Sequence, residues 1–405
     1  MSNRPYVIVG AGHAARRASE ALREHDQETP IVMIGAENEL PYDRPALSKE
    51  ALTSESGEKR AFIRDQPWYS ERRIELRLGL TVVELDRAAQ TVQSDDGAVI
   101  GYKRLLLATG SRVRRFAGQI DEGAEVHYVR TVADARALRA VLQPEKRVAV
   151  LGGGFVGLEV AASATTLGCK VTVVEPASGL LRRSMPPVVG DFIRALHARR
   201  GVDVRLNTIP SAIHKKAGQV TVETDRGEID ADIVVIGIGV SPNVELAEKA
   251  GLAVDNGIIV DEHCRTSDHD VFAAGEVTMH FNPMLGRHVR VESWQVAENQ
   301  PMIAAANMVG ASHSYAEIPW LWSDQFDCNV QTLGLFSANG SLFLRGNPQS
   351  GSFCVLEIDD EGRLRAIAAV NAGREIATCR RLMLAGKPMD PTQITDTSFL
   401  LRSML

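Results

Sequence analysis

The chain has 405 residues, of which 44% are hydrophobic and 24% charged, with a formal net charge of −6. That length exceeds the size at which one hydrophobic core stops growing, so two or three domains are expected, and the ordinary apolar content excludes a disordered chain. The acidic balance argues against a nucleic-acid partner, and no apolar run reaches the roughly 18 residues of a membrane span.

Five scattered cysteines (Cys169, Cys264, Cys328, Cys354 and Cys379) show no Cys-x-x-Cys spacing. They are read as reduced, buried, small hydrophobes, and no metal site is expected. Arg4 and Pro5 lead straight into the first strand. This predicts a cytoplasmic protein without a signal sequence.

The first elements are an apolar strand over residues 6–9, the turn Gly10-Ala11-Gly12-His13-Ala14-Ala15, and a helix over 16–23. Gly10 and Gly12 allow a tight turn and let backbone N–H groups approach a pyrophosphate, at which the helix aims its positive end. A second strand at 31–34 ends close to Glu37, placed to reach a ribose hydroxyl roughly 20 residues past the glycines. Next comes Pro41-Tyr42-Asp43-Arg44-Pro45-Ala46-Leu47-Ser48-Lys49. Its two prolines make it a shaped loop whose basic residues face a phosphate or flavin, or are simply solvated.

A short helix is expected at 65–73, strand character at 75–85, and strands at 91–94 and 101–108. The last ends in a buried run before Ala108-Thr109-Gly110, as a parallel strand would. Arg112, Arg114 and Arg115 read as an exposed basic linker, and 131–142 as a helix. The dinucleotide pattern then recurs with all three glycines: Gly152-Gly153-Gly154-Phe155-Val156-Gly157-Leu158-Glu159, a helix to 167, and a strand at 171–174 ending in Glu175. Two such patterns in strand-turn-helix-strand-acid context predict two bound dinucleotides.

A helix at 191–200 and strands at 202–206, 219–224 and 233–236 follow, the last running into Gly237-Ile238-Gly239, where backbone can approach a nucleotide. Strands at 257–260 and 271–274 lead to Gly275-Glu276, and a helix begins at 291 and includes Trp294. From 319 the pattern changes to Trp320-Leu321-Trp322-Ser323-Asp324-Gln325, strands at 330–336, 342–345, 353–358 and 364–370, and a helix near 374–384. Trp320 and Trp322 share one face of a strand. Paired tryptophans are core anchors more often than cofactor contacts.

Taken in order, the first glycine pattern, the Pro-Tyr-Asp-Arg-Pro-x-Leu-Ser-Lys loop, Leu106-Leu107-Ala108-Thr109-Gly110, the second glycine pattern and Phe272-Ala273-Ala274-Gly275-Glu276 resemble one family over essentially the whole chain. It is that of the FAD-dependent, NADH-using ferredoxin reductases of bacterial oxygenase systems, the putidaredoxin reductase and biphenyl dioxygenase reductase type. The glycine patterns are shared with glutathione reductase and its relatives; the proline loop and Trp-x-Trp-Ser-Asp-Gln are more specific.

The resemblance implies an α/β fold with two Rossmann-like dinucleotide-binding domains, glutathione-reductase-like, plus a C-terminal α+β domain. The FAD domain would span 1–112 and 246–318, the NAD domain 113–245 and the interface domain 319–405. FAD contacts are implied at Gly10, Gly12, Ala14, Ala15, Glu37, Arg44, Lys49, Val82, Ala108, Thr109, Gly110, Arg130, Glu276 and Trp294. Glu276 stands where the family usually has Asp. NADH contacts are implied at Gly152, Gly154, Val156, Gly157, Glu159, Glu175, Arg183, Gly237, Ile238 and Gly239.

Lys49, Glu159 and Trp320 are the residues the resemblance places nearest the chemistry. Glu159 would pair with Lys49 or orient the nicotinamide carboxamide, against the plainer role of complementing a helix N-terminus. Glu175 favours NADH over NADPH, with Arg182 and Arg183 softening that preference. Residues 40–49 hold no cysteine, where disulfide reductases of this fold place a redox pair. Electrons would therefore leave singly, to a [2Fe–2S] ferredoxin serving an oxygenase or cytochrome P450. Arg287, Arg290 and the 112–115 cluster are candidate docking residues, and a monomer or weak homodimer is expected.

Rubredoxin reduction differs only at the docking face. A signalling flavoprotein like apoptosis-inducing factor would need a basic surface and a targeting segment. Membrane quinone reduction fits poorly with the short, mixed tail at 395–405.

Overall fold

Four buried apolar residues make β1 (Tyr6–Val9) the central strand of a five-stranded parallel sheet in the computed structural model, which describes residues 4–216, 218–337 and 340–405. Its neighbours are β2 (Ile31–Gly35) and the strand Arg104–Leu107, with Ile74–Leu78 and Val271–Ala273 at the edges. Burial on both faces explains the unbroken apolar runs. Val7, Val9, Val32, Leu105, Leu107 and Val271 form one face, packed with Val82, Leu85 and Val92. Helix α1 (His13–His25) packs against the helix Trp294–Met308. These elements lie in a unit made of residues 4–45, 59–112 and 240–317.

The strand-like stretch 75–85 is two strands, Ile74–Leu78 and Val82–Asp86, because Gly79 at φ +74° turns the chain between them. The helix expected from 291 begins at Trp294, where Ser293 caps it by accepting from the Val296 N–H at 3.4 Å.

The second unit, residues 46–58, 113–239 and 318–405, repeats the first design. Here β3 (Arg147–Leu151) lies between the strand Ile233–Ile236 and β4 (Lys170–Glu175), with Val126–His127 and Asp203–Leu206 at the edges. Helix α2 (Phe155–Thr166) buries Leu158, Val160, Ala161 and Ala164, as an internal helix does. Helix α3 (Pro187–Arg199) starts four residues earlier than the spacing predicts, since proline suits a first helical turn. A four-stranded sheet adds Pro210–Lys216 and Gly227–Ala231, neither of them foreseen.

From β5 (Trp320–Gln325) onward the chain forms a five-stranded antiparallel sheet in the order β5, Cys328–Gly334, Leu364–Val370, Ser352–Ile358, Ser341–Asn347. Val330, Phe353, Val355, Ala368 and Val370 from this sheet join Leu158, Val189 and Ile193 in a single hydrophobic cluster that also takes in Leu52. The helix Gly373–Ala385 covers the sheet's other face through Ile376, Cys379 and Leu382. Among the described residues, no helix is long and apolar enough to cross a membrane.

Candidate functional site

The two glycine loops share one construction. Gly10 has φ +116°, and a Cβ there would lie 2.2 Å from the Ala108 carbonyl oxygen; Gly152 also has φ +116°, with its Cβ position 2.4 Å from the Gly237 oxygen. Each loop is tied to the next strand, Gly10 N–H to Ile34 O at 2.7 Å and Gly152 N–H to Val174 O at 2.9 Å. Glycine is required at both positions. Gly12 and Gly154 sit at the helix N-caps with no side-chain cap. The first-turn N–H groups of α1 and α2 are therefore oriented for an anionic ligand.

In the first unit the surroundings suit a phosphorylated cofactor. An Arg44 guanidinium nitrogen lies 3.8 Å from the Cβ position of Gly12. It pairs with Glu37 at 2.6 Å, and the Tyr42 hydroxyl donates to the other Glu37 oxygen at 2.5 Å. Burial works against the Arg44 charge, but Tyr42, Glu37 and Glu276 outweigh it and push its pKa up. Gly275, at φ +90°, brings the Glu276 turn against Ala14, with 3.0 Å between its Cβ position and the Ala14 Cβ. Gln300 fixes that turn by accepting from the Gly275 N–H at 2.8 Å.

His13, the first residue of α1, is buried between two carboxylates. Its Nδ1 lies against Asp43, its Nε2 is 2.6 Å from Glu298, and its ring packs on Trp294 with centroids 5.3 Å apart. Trp294 Nε1–H donates to Asp43 at 3.2 Å. Arg16 and Arg17 reach Glu298 at 2.9 and 3.1 Å. Desolvation disfavours the imidazolium, but hydrogen bonds to Asp43 and Glu298 prevail and raise the His13 pKa.

In the second unit, Glu175 shapes the loop directly, accepting from Gly153 N–H at 2.6 Å and from Ala177 N–H at 2.8 Å. One lone pair on each of its oxygens remains for a ribose hydroxyl. The Gly157 Cβ position is 2.2 Å from the Gly152 oxygen, which is why this loop needs its third glycine. Gly239 has φ +98°, and a Cβ there would lie 3.3 Å from an Arg183 nitrogen. Val156 is 45% exposed on the first turn of α2, an apolar surface suited to a flat ring.

One turn into α2, the Glu159 side chain is 6% exposed and receives Lys49 Nζ at 2.8 Å. The Ser48 hydroxyl donates to the same oxygen at 2.5 Å, and Ser323 Oγ–H donates to the other at 2.6 Å. Ser163 holds the Ser48 carbonyl at 2.7 Å and anchors the proline loop's end to α2.

The residues expected from sequence thus gather in two places. Gly10, Gly12, Ala14, Ala15, Glu37, Arg44, Ala108, Thr109, Gly110, Glu276 and Trp294 lie in the first unit, and Lys49 and Arg130 in the second. Arg130 precedes the helix Val132–Val141, its N–H bonded to Asp134 at 3.1 Å. The Val82 side chain is committed to the core, leaving only its backbone to meet a ligand. Trp320 and Trp322 stack with centroids 5.0 Å apart, and Trp320 Nε1–H donates to Gln331 at 3.1 Å.

Arg290 does not fit a docking surface. Its side chain is 6% exposed and pairs with Glu292 at 2.7 Å; Arg287, Arg112, Arg114 and Arg115 are exposed. Ser48, Ser323, His13 and Glu298 were not identified from sequence. Only the specificity of the Trp-x-Trp-Ser-Asp-Gln motif pointed toward Ser323.

The family described as pyridine nucleotide-disulphide oxidoreductase matches residues 4–300, and the reductase C-terminal family matches 320–405. The anthranilate 1,2-dioxygenase system ferredoxin–NAD(+) reductase component of Burkholderia cepacia is 61% identical over 406 residues, covering 100% of both chains. Among solved structures, the ferredoxin reductase for the CYP199A2 system from Rhodopseudomonas palustris superposes with a TM-score of 0.94 at 33% identity, over 99% of each chain. The reductase in a covalent putidaredoxin reductase–putidaredoxin complex gives a TM-score of 0.95 at 33% identity, over 100% of this chain and 98% of that one.

Proposed function

The chain belongs to the pyridine nucleotide-disulphide oxidoreductase family, and from that premise we propose that it is an FAD-dependent ferredoxin–NAD(+) reductase. It takes a hydride from NADH and hands electrons singly to a [2Fe–2S] ferredoxin that serves an oxygenase or cytochrome P450. The observation that carries this reading is that the proline loop holds no cysteine and its end delivers Lys49 to Glu159 of α2. All five cysteines are free and buried. Burial pushes the Cys328 thiol up to about 11 and Cys354 up to about 12, and raises the other three as well. No thiolate is on hand to relay electrons.

Bound FAD supplies the conversion of a two-electron hydride into single-electron deliveries. The protein's part is position and charge. The first turn of α1 with Arg44 holds the FAD pyrophosphate, Glu37 the adenosine ribose, and Glu276 the ribityl chain. The first turn of α2 holds the NADH pyrophosphate, and Glu175 takes the ribose hydroxyls and repels a 2′-phosphate. Glu159 and Lys49 orient the nicotinamide end, and Trp320 faces the ferredoxin. The protein works in the cytoplasm as a monomer or weak homodimer.

Anaerobic stopped-flow mixing with NADH, followed by ferredoxin, rubredoxin or quinone, tests this. Flavin bleaching by NADH and fastest reoxidation by a [2Fe–2S] ferredoxin are expected. Faster turnover with NADPH, or with rubredoxin or quinone, overturns the corresponding part.

A further inference from the structure

An ion pair with Lys49 accounts for only one oxygen of Glu159. The other oxygen is held by Ser323, and Ser323 is itself held. His197 Nε2 lies 2.8 Å from Gln325 Oε1, Gln325 Nε2–H donates to Ser323 Oγ at 3.1 Å, and Ser323 Oγ–H donates to Glu159 Oε1 at 2.6 Å. We propose that Ser323 is a positioning residue for Glu159, fixed by Gln325 and His197, and that through this chain the C-terminal domain sets the geometry of the nicotinamide site. The proposal rests on the reading of the second glycine loop as the NADH site.

The chain of bonds has one consistent direction. His197, Ser323 and Gln325 are each fully buried, so each polar atom must find a partner or incur the cost of desolvation. Burial lowers the His197 pKa and keeps the ring neutral. Its Nδ1 has no hydrogen-bond partner, which places the single proton on Nε2 and makes that nitrogen the donor to Gln325. The Gln325 amide is then turned so that its NH2 points at Ser323. Ser323 accepts there and spends its only proton on Glu159. Reversing any one member would set two donors or two acceptors against each other.

Strand alternation puts this chain where it can act. On β5, Leu321, Ser323 and Gln325 face one way and Trp320 and Trp322 the other. The face carrying Ser323 meets α2, which carries Glu159. With Ser48 and Lys49 on Oε2 and Ser323 on Oε1, the carboxylate cannot rotate without breaking a bond on each oxygen. A group that orients a substrate amide needs such restraint.

The test uses flavin-loaded wild type, Ser323→Ala, Ser323→Thr, Gln325→Leu, Glu159→Gln and the Ser323→Ala/Glu159→Gln pair. Each is read by NADH concentration series in anaerobic stopped flow and by calorimetric titration with NAD(+). Ser323→Ala is expected to lower kcat/KM for NADH by about tenfold and to weaken NAD(+) binding, with Gln325→Leu in the same direction and smaller. Ser323→Thr restores both. In the Glu159→Gln background the Ser323→Ala loss falls below about twofold, because the interaction it acts through is already gone.

Equal losses in the two backgrounds show a structural role and overturn the proposal, as does wild-type behaviour of Ser323→Ala. A wild type that NADH does not reduce overturns the reductase reading itself, a result distinguishable from either.

Discussion

The two glycine loops are close copies in backbone and opposites in what surrounds them. Gly10 and Gly152 share φ +116° and the same approach to a strand-end carbonyl. Beyond that point α1 buries charge: Arg16, Glu20 and Arg23 lie inside beside His13. Helix α2 buries almost only apolar groups, with Glu159 the one carboxylate among them. The first loop tolerates Ala15 as its third member, whereas the second requires Gly157. A loop that retains its ligand can be built into a stiff ionic frame. On the proposed assignment, the loop that must bind and release NADH at every turnover keeps an open, apolar mouth at Val156 and a single well-held polar group.

The sharpest way to break the comparison is to add the same methyl group to both loops. Gly10→Ala and Gly152→Ala each force a Cβ into a carbonyl at positive φ, a strain of about 3 kcal/mol or more, so roughly a hundredfold in binding. Gly10→Ala is expected to purify without flavin. Gly152→Ala is expected to purify yellow and to be reduced by NADH about a hundredfold more slowly, as absorbance spectra and stopped flow would show. Loss of flavin from Gly152→Ala would reverse the assignment of the two loops.

Next in size is Lys49→Met, which leaves Glu159 buried with hydroxyl donors alone. A loss of about 2 kcal/mol is expected in urea melts, less than for a fully buried pair because Lys49 is 15% exposed.

Glu175→Ala comes third. It removes the acceptor for Gly153 and Ala177 and should cut the preference for NADH over NADPH about tenfold, read as the ratio of kcat/KM values. The smallest effect belongs to His13. Its pKa is raised in the folded state, so its contribution to stability is complete below the unfolded value of 6.5 and is lost as pH rises through the folded value. Wild-type Tm should therefore decline as pH rises above 6.5 through this group, and His13→Gln should lack that component.

Much of this design is legible in the sequence, since glycines at forced turns and apolar runs in buried parallel strands are local signals. The strands at 6–9, 31–34 and 233–236, the α2 loop and the antiparallel tail all follow from spacing alone. What escapes is long-range. Ser48, Glu159 and Ser323 are 111 and 164 residues apart in their hydrogen-bonded pairs, and no local pattern links them. Pro210–Lys216 buries only Ala212 and Ile213, so it shows no alternation to read as a strand. Arg290 reads as surface charge because sequence does not reveal that its side chain is buried beside Glu292.

The shared cluster of Leu158, Val189, Ile193, Val330, Phe353 and Val370 has a consequence for engineering and for evolution. The tail from 320 is not an interchangeable adaptor, because both faces of its sheet are packed. A graft cut at 319 exchanges Cys328, Val330, Phe353, Val355, Ala368 and Val370 of that cluster and the hydroxyl that steadies Glu159 along with the tryptophans. Chimeras that keep Ser323, Gln325 and the packed side chains on both faces of the sheet should retain NADH reduction. In evolution as in design, Ser323 and Glu159 are then expected to change together.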